Sequence, residues 1–145
     1  MLRNVLVLFI SLAAAIAAAE PLVSYQIDGD AIRQSLTGKA GSAEQGYAIA
    51  SNRADGGCVL CHQLPGIDAA MSGNLAPPLD GIGSRLSAGQ IRLRLVDSSR
   101  LNPQTIMPSY YRTEGLRQVV QPYQGKPILT VQQIEDVIAY LLTLK

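Results

Sequence analysis

Both cysteines and the single histidine of this chain fall within five positions, Cys58-Val59-Leu60-Cys61-His62. Two thiols three residues apart can add across the two vinyl groups of a haem, and an imidazole directly after the second thiol can then serve as an axial iron ligand. Cys-x-x-Cys-His is the attachment pattern of haem c. Two other chemistries use part of the pattern. A redox dithiol has the Cys-x-x-Cys spacing but follows a strand in a βαβ setting, and no such setting is readable here. A structural zinc site takes four ligands, and Cys58, Cys61 and His62 supply three with no further Cys or His in the chain. One covalent haem c is the reading that uses all three residues, with Cys58 and Cys61 as thioethers and His62 on the iron.

The sixth iron position needs a second soft donor, and two methionines beyond the leader could supply it, Met71 and Met107. Met71 follows the motif closely, in the loop Ala69-Ala70-Met71-Ser72-Gly73. Met107 lies far downstream, between Pro103 and Pro108. A ligand on the opposite face of the ring has to come from chain that has already wrapped round it, and the two prolines stiffen the loop that delivers it. Met107 is favoured on that ground, and Met71 reads as a filler of the core.

The elements that must hold these residues read as helices separated by Gly- and Pro-rich loops, without strand alternation. Residues 1–19 read as a secretory signal peptide: Arg3 in a short head, an apolar run, and Ala17-Ala18-Ala19 as a cleavage site. Residues 20–42 form an irregular lead-in, and 43–145 the haem domain. A short helix is expected over 43–52. Ser87 with Gln90 forms a capping box before a helix whose apolar face is Ile91, Leu95 and Val96, with Arg92 and Arg94 on its solvated side. Thr130 with Gln133 caps the last helix, where Val131, Ile134, Ile138 and Leu141 recur at three and four and Val137 and Leu142 widen the stripe. The 12 Lys and Arg against 11 Asp and Glu become equal once Arg3 leaves. That balance argues against nucleic acid, and no basic amphipathic stretch argues for a membrane surface after signal cleavage. One Phe and no Trp leave a small domain short of apolar bulk, which a buried haem would supply.

Cys-Val-Leu-Cys-His, then Ala76-Pro77-Pro78-Leu79-Asp80-Gly81, then a late Met107-Pro108 and a C-terminal amphipathic helix together resemble a class I cytochrome c. The resemblance implies an all-α fold, helices and loops wrapped around one covalent haem. It implies that Pro77 offers its carbonyl to the ligand imidazole, that Arg85 lies near a haem propionate, and that Gly46-Tyr47 and Tyr140 mark the crossing of first and last helices. A narrower likeness runs from about Asp30 to Lys145. Asp30-Ala31-Ile32, Ile49-Ala50-Ser51-Asn52-Arg53, Asn102-Pro103 through Arg112, and Ile128 through Leu141 are similar to the SoxX subunits of sulfur-oxidising SoxAX cytochromes. That likeness implies a larger SoxA-like cytochrome partner, a SoxYZ-like carrier protein, a downstream electron acceptor and a periplasmic site of action. The complex would act as an L-cysteine S-thiosulfotransferase, joining thiosulfate to a carrier cysteine, with the sulfur chemistry on the partner subunit.

With haem attached the chain has no free thiol, and with iron ligated it has no free imidazole to act as nucleophile or general base. Electron transfer is what this inventory supports. A free-standing periplasmic cytochrome c is the alternative to a subunit, and an open-haem enzyme such as a peroxidase requires that Met107 not bind. Tyr110 and Tyr111, just behind the ligand loop, read either as a docking surface for the partner or as a cover over the haem from within.

Overall fold

Four α-helices carry the regular structure of residues 22–145, which are those the computed structural model describes. The expected signal peptide lies outside the described residues. α1 spans Ala43–Ser51, α2 Ile82–Arg85, α3 Ala88–Asp97 and α4 Val131–Thr143. Among the described residues there is no strand, only an isolated bridge between Asp28 and Ala31. No helix of the described residues is long and apolar enough to cross a membrane.

α4 is the spine. Thr130 Oγ1 accepts from Gln133 N while the Gln133 side chain accepts from Thr130 N, so two amides that the helix start would leave unpaired are satisfied reciprocally. Its buried stripe is Ile134, Val137, Ile138 and Leu141, each worth about 2 kcal/mol when taken out of water. Val131 and Leu142 sit half-buried at its edges. α1 packs across this helix, and the contact is backbone against backbone. A Cβ on Gly46 would fall 1.9 Å from the Asp136 carbonyl oxygen, so only glycine lets the two helices come this close. Beside that crossing the Tyr47 and Tyr140 rings meet edge to face, centroids 5.4 Å apart.

α3 begins at the Ser87–Gln90 capping box and buries Ile91, Leu93, Leu95 and Val96. Arg92 departs from its expected solvated side. It is only 5% exposed, and its Nε and Nη2 reach the two carboxylate oxygens of Glu135 at 2.8 Å each. Its Nη1 donates to the Ile32 carbonyl at 2.7 Å. Residues 22–42, irregular as a helix-free stretch, are therefore not loose. Ala31, Ile32 and Leu36 are buried, Leu36 N donates to Glu135 Oε1, and Ser42 N donates to Asp136 Oδ1, both at 2.8 Å. This segment is a strap fastened to α3 and α4 by the acids that open α4's second turn.

Candidate haem site

Gly57 takes a left-handed conformation (φ 62°), and the chain turns there into a single 3₁₀ turn, Cys58–Leu60. His62 N and Cys61 N both donate to the Cys58 carbonyl, at 2.9 and 3.1 Å, so the motif is one tight coil. Behind it, the Tyr110 hydroxyl donates to the Gly56 carbonyl at 2.8 Å and pins the turn from the far side of the domain. Cys58 is buried and Cys61 half-buried, and neither is in a disulfide. Burial pushes the Cys58 thiol above its ordinary value, against the opposing effect of the Tyr110 hydroxyl. Burial likewise pushes the Tyr110 phenol up, reinforced by Cys58.

The loop that follows runs back along the motif. Gly73 N donates to Val59 O, Ala76 N to Cys61 O and Leu79 N to Gln63 O, at 2.8, 3.0 and 3.0 Å. This lacing brings the Pro77 carbonyl to 2.6 Å from His62 Nδ1. A carbonyl can only accept, so the proton is on Nδ1 and the lone pair on Nε2, the tautomer a metal ligand needs. Arg85, at the end of α2, donates from Nη1 to the Asp80 carbonyl at 2.7 Å and lies exposed beside Pro78. It stitches the same loop, with further N–H groups facing outward.

The two methionines differ in their surroundings. Met107 is half-buried against the core, its N donating to Thr105 Oγ1 at 3.2 Å and its carbonyl accepting from Ser98 Oγ at 2.9 Å. Met71 ends the 3₁₀ turn Ala69–Met71 with 59% of its surface exposed, so it fills no gap in the core. That corrects the reading of Met71 as packing, and the reason is local: the turn is capped by Asp68 and held from outside by Arg53 Nη1 on the Met71 carbonyl. The docking surface suggested for Tyr110 and Tyr111 is also corrected. They are 5% and 4% exposed, Tyr110 turned toward Gly56 and the Tyr111 hydroxyl accepting from Val23 N at 2.6 Å.

This donor set fits a c-type haem: two unpaired thiols on one turn, an imidazole with Nε2 free, and a thioether on a braced loop. Leu75 and Ile106, on the loops that carry Pro77 and Met107, are 67% and 71% exposed. They are large apolar side chains that no protein core covers, as a flat apolar partner would require. Asp97, Ser98, Ser109 and Arg112, which surround the Met107 loop, were not legible as site residues, since each is an ordinary helix-end or loop polar residue in the sequence.

Comparison with known proteins agrees with this geometry. Residues 43–145 match the family model for cytochrome c. A chain in the crystal structure of SoxXA from P. pantotrophus is 38% identical, with 83% of this chain and 94% of that chain covered and a TM-score of 0.76. Among curated proteins no match is found. Haem c is thus the cofactor and electron transfer the chemistry, and the chain belongs to the cytochrome c family, as a member of its SoxX type.

Proposed function

We propose that the chain is an exported, periplasmic subunit that takes up electrons while a larger SoxA-like partner couples thiosulfate to a cysteine of a SoxYZ-like carrier, and passes them to a downstream acceptor. The observation that carries the reading is the His62–Pro77 bond. It commits the only imidazole of the chain to a metal-ligand tautomer, while the only two thiols, Cys58 and Cys61, stand on the same turn. Nothing nucleophilic of that kind is left over for the sulfur chemistry. The likeness to SoxXA, a complex by its name, supports a partner subunit rather than the free-standing carrier.

In this reading Cys58 and Cys61 would hold the haem by thioether bonds, His62 Nε2 and the Met107 thioether would be its iron ligands, and Arg85 would pair with a propionate. When bound, the haem supplies a one-electron iron couple, and a His/Met ligand pair sets it high. Pro77 fixes the imidazole ring, the Tyr110–Gly56 bond fixes the turn that carries Cys58, and the Met107 loop excludes competing ligands. Residues 1–19 direct export and 20–42 precede the haem domain proper.

The test is a pull-down from the periplasm of thiosulfate-grown cells, with haem staining and mass spectrometry. A larger cytochrome should co-purify, and the denatured chain should retain one haem on residues 20–145. Recovery of the chain alone under gentle conditions would favour the free-standing carrier. A bare polypeptide mass from a host competent in c-type maturation would remove the haem reading altogether. Substitution Met107→Ala should abolish the methionine–iron charge-transfer band of the ferric protein and admit carbon monoxide to the ferrous one. If Met71→Ala does so instead, the ligand assignment passes to Met71.

A further inference from the structure

We propose that Asp97 is a positioning residue for the sixth iron ligand, clamping the loop that presents Met107 to the end of α3. The proposal rests on the reading of Met107 as that ligand.

Asp97 is 1% exposed and stands at the last position of α3. Both conditions disfavour a carboxylate, because burial strips its hydration and the helix C-terminus already carries partial negative charge. Its compensating partners come from the helix end itself and from the ligand loop. Oδ1 accepts from Ser109 Oγ at 2.9 Å and from Ser99 Oγ at 2.5 Å, and Oδ2 lies 2.9 Å from Arg112 Nε. Arg100 adds a longer pairing at 3.5 Å from solvent. Burial works to raise the Asp97 pKa, but the two serine hydroxyls and Arg112 outweigh it and hold the carboxyl below its ordinary range.

The helix end reinforces the clamp. Tyr110 N donates to the Leu95 carbonyl and Arg112 N to the Val96 carbonyl, at 2.9 and 3.4 Å, so the loop supplies donors that the helix terminus lacks. Ser98 Oγ holds the Met107 carbonyl itself. Met107 is thus gripped at its own carbonyl and, two residues on, at Ser109, while Asp97 contacts both Ser109 and Arg112, which also meet each other through Arg112 Nη2 and Ser109 Oγ at 3.4 Å. An apolar residue at position 97 would extend the buried stripe of α3 at lower cost. The carboxylate gains its partners only if the loop is docked, so it couples the docking of the loop to the fold of the helix.

A loop held this way should keep the Met107 thioether on the iron against competitors. The experiment measures imidazole affinity of the ferric holoprotein by loss of the methionine–iron band in wild type, Asp97→Asn, Ser109→Ala and Glu135→Gln, and by the shift of the Soret band in Met107→Ala, where the methionine–iron band should already be missing. Asp97→Asn, which removes the charge facing Arg112 and weakens the serine bonds, should raise imidazole affinity about tenfold, and Ser109→Ala, which removes one hydrogen bond to Asp97, about threefold. Glu135→Gln disturbs a buried ion pair at the strap, so it should lower stability and leave imidazole affinity alone. Equal imidazole affinity in wild type, Asp97→Asn and Ser109→Ala, beside a large increase in Met107→Ala, would overturn the clamp and keep the ligand. An unchanged band in Met107→Ala would overturn the ligand reading, and the clamp with it. Should Asp97→Asn yield no holoprotein, Ser109→Ala and Ser98→Ala decide: affinity unchanged in both rejects the proposal.

Discussion

Replacing Arg92 by leucine should destabilise the protein strongly while leaving its haem spectrum as it was. Arg92 and Glu135 are 5% and 6% exposed at their side chains and form a two-point ion pair. Losing one member leaves the other charge buried with a single remaining donor, Leu36 N. Breaking such a pair costs about 3–5 kcal/mol. The Ile32 carbonyl also loses its donor, Arg92 Nη1, which adds about 1 kcal/mol. We expect a total of about 5 kcal/mol, a large share of the stability of a domain this size. In guanidinium unfolding of the holoprotein, that is a drop of about 1.2 M in midpoint for a slope of about 4 kcal/mol/M. The double variant Arg92→Met, Glu135→Leu removes both charges and should recover about 2 kcal/mol of the loss, leaving only the orphaned strap groups. A single-variant loss under about 1 kcal/mol, or a double variant as costly as both singles together, would refute the claim that this pair fastens the strap. Far-UV circular dichroism gives the unfolding curve, and visible absorbance reports the haem independently.

Gly46→Ala should cost about 3 kcal/mol and sharply reduce the yield of holoprotein, since the new methyl group would press on the Asp136 carbonyl at the α1–α4 crossing. The measurement is haem-stained expression level beside a thermal melt. Met71→Ala, at an exposed side chain, should change stability by less than about 0.5 kcal/mol and leave the ferric spectrum intact. For Asp97 the folded-state pKa lies below the ordinary 3.8, so its stabilising contribution is complete at neutral pH and is lost as pH falls through the folded value. Thermal midpoints of wild type should therefore fall below about pH 4 more steeply than those of Asp97→Asn, with the two curves converging in strong acid.

The helices were legible wherever their signals are local. Ser87 with Gln90 and Thr130 with Gln133 are pairs three residues apart, and both capping boxes form. The stripe of α4 is a periodicity within 13 residues, and it is buried as its spacing requires. Arg92 fails for the complementary reason. Its partners Ile32 and Glu135 are 60 and 43 residues away in sequence, and no local pattern distinguishes an arginine on a solvated face from one satisfied in the core. The tyrosines fail likewise. Tyr110 is an amphipathic residue beside the Met107 loop, and only the fold reveals that its hydroxyl is spoken for by Gly56, 54 residues earlier.

The same division runs through the candidate site and explains what holds it. The attaching half is a five-residue motif on one turn, so it could be read directly, and its second support, Pro77, is close enough for a family pattern to point to it. The other half depends on a loop more than forty residues later, whose grip comes from a helix end that no motif marks. A haem fixed to the first half by thioether bonds cannot leave when the second half loosens. If Met107 is the sixth ligand as proposed, loosening would change ligation before it changed occupancy, at the iron face that a one-electron carrier keeps closed. Under the proposed function, joining two sulfur centres would release two electrons, so a single haem would have to turn over twice or share the work with a partner. The sixth position must then stay closed through each oxidation and reduction, and a clamp anchored on Asp97, outside the haem motif, is suited to that because attachment chemistry does not strain it.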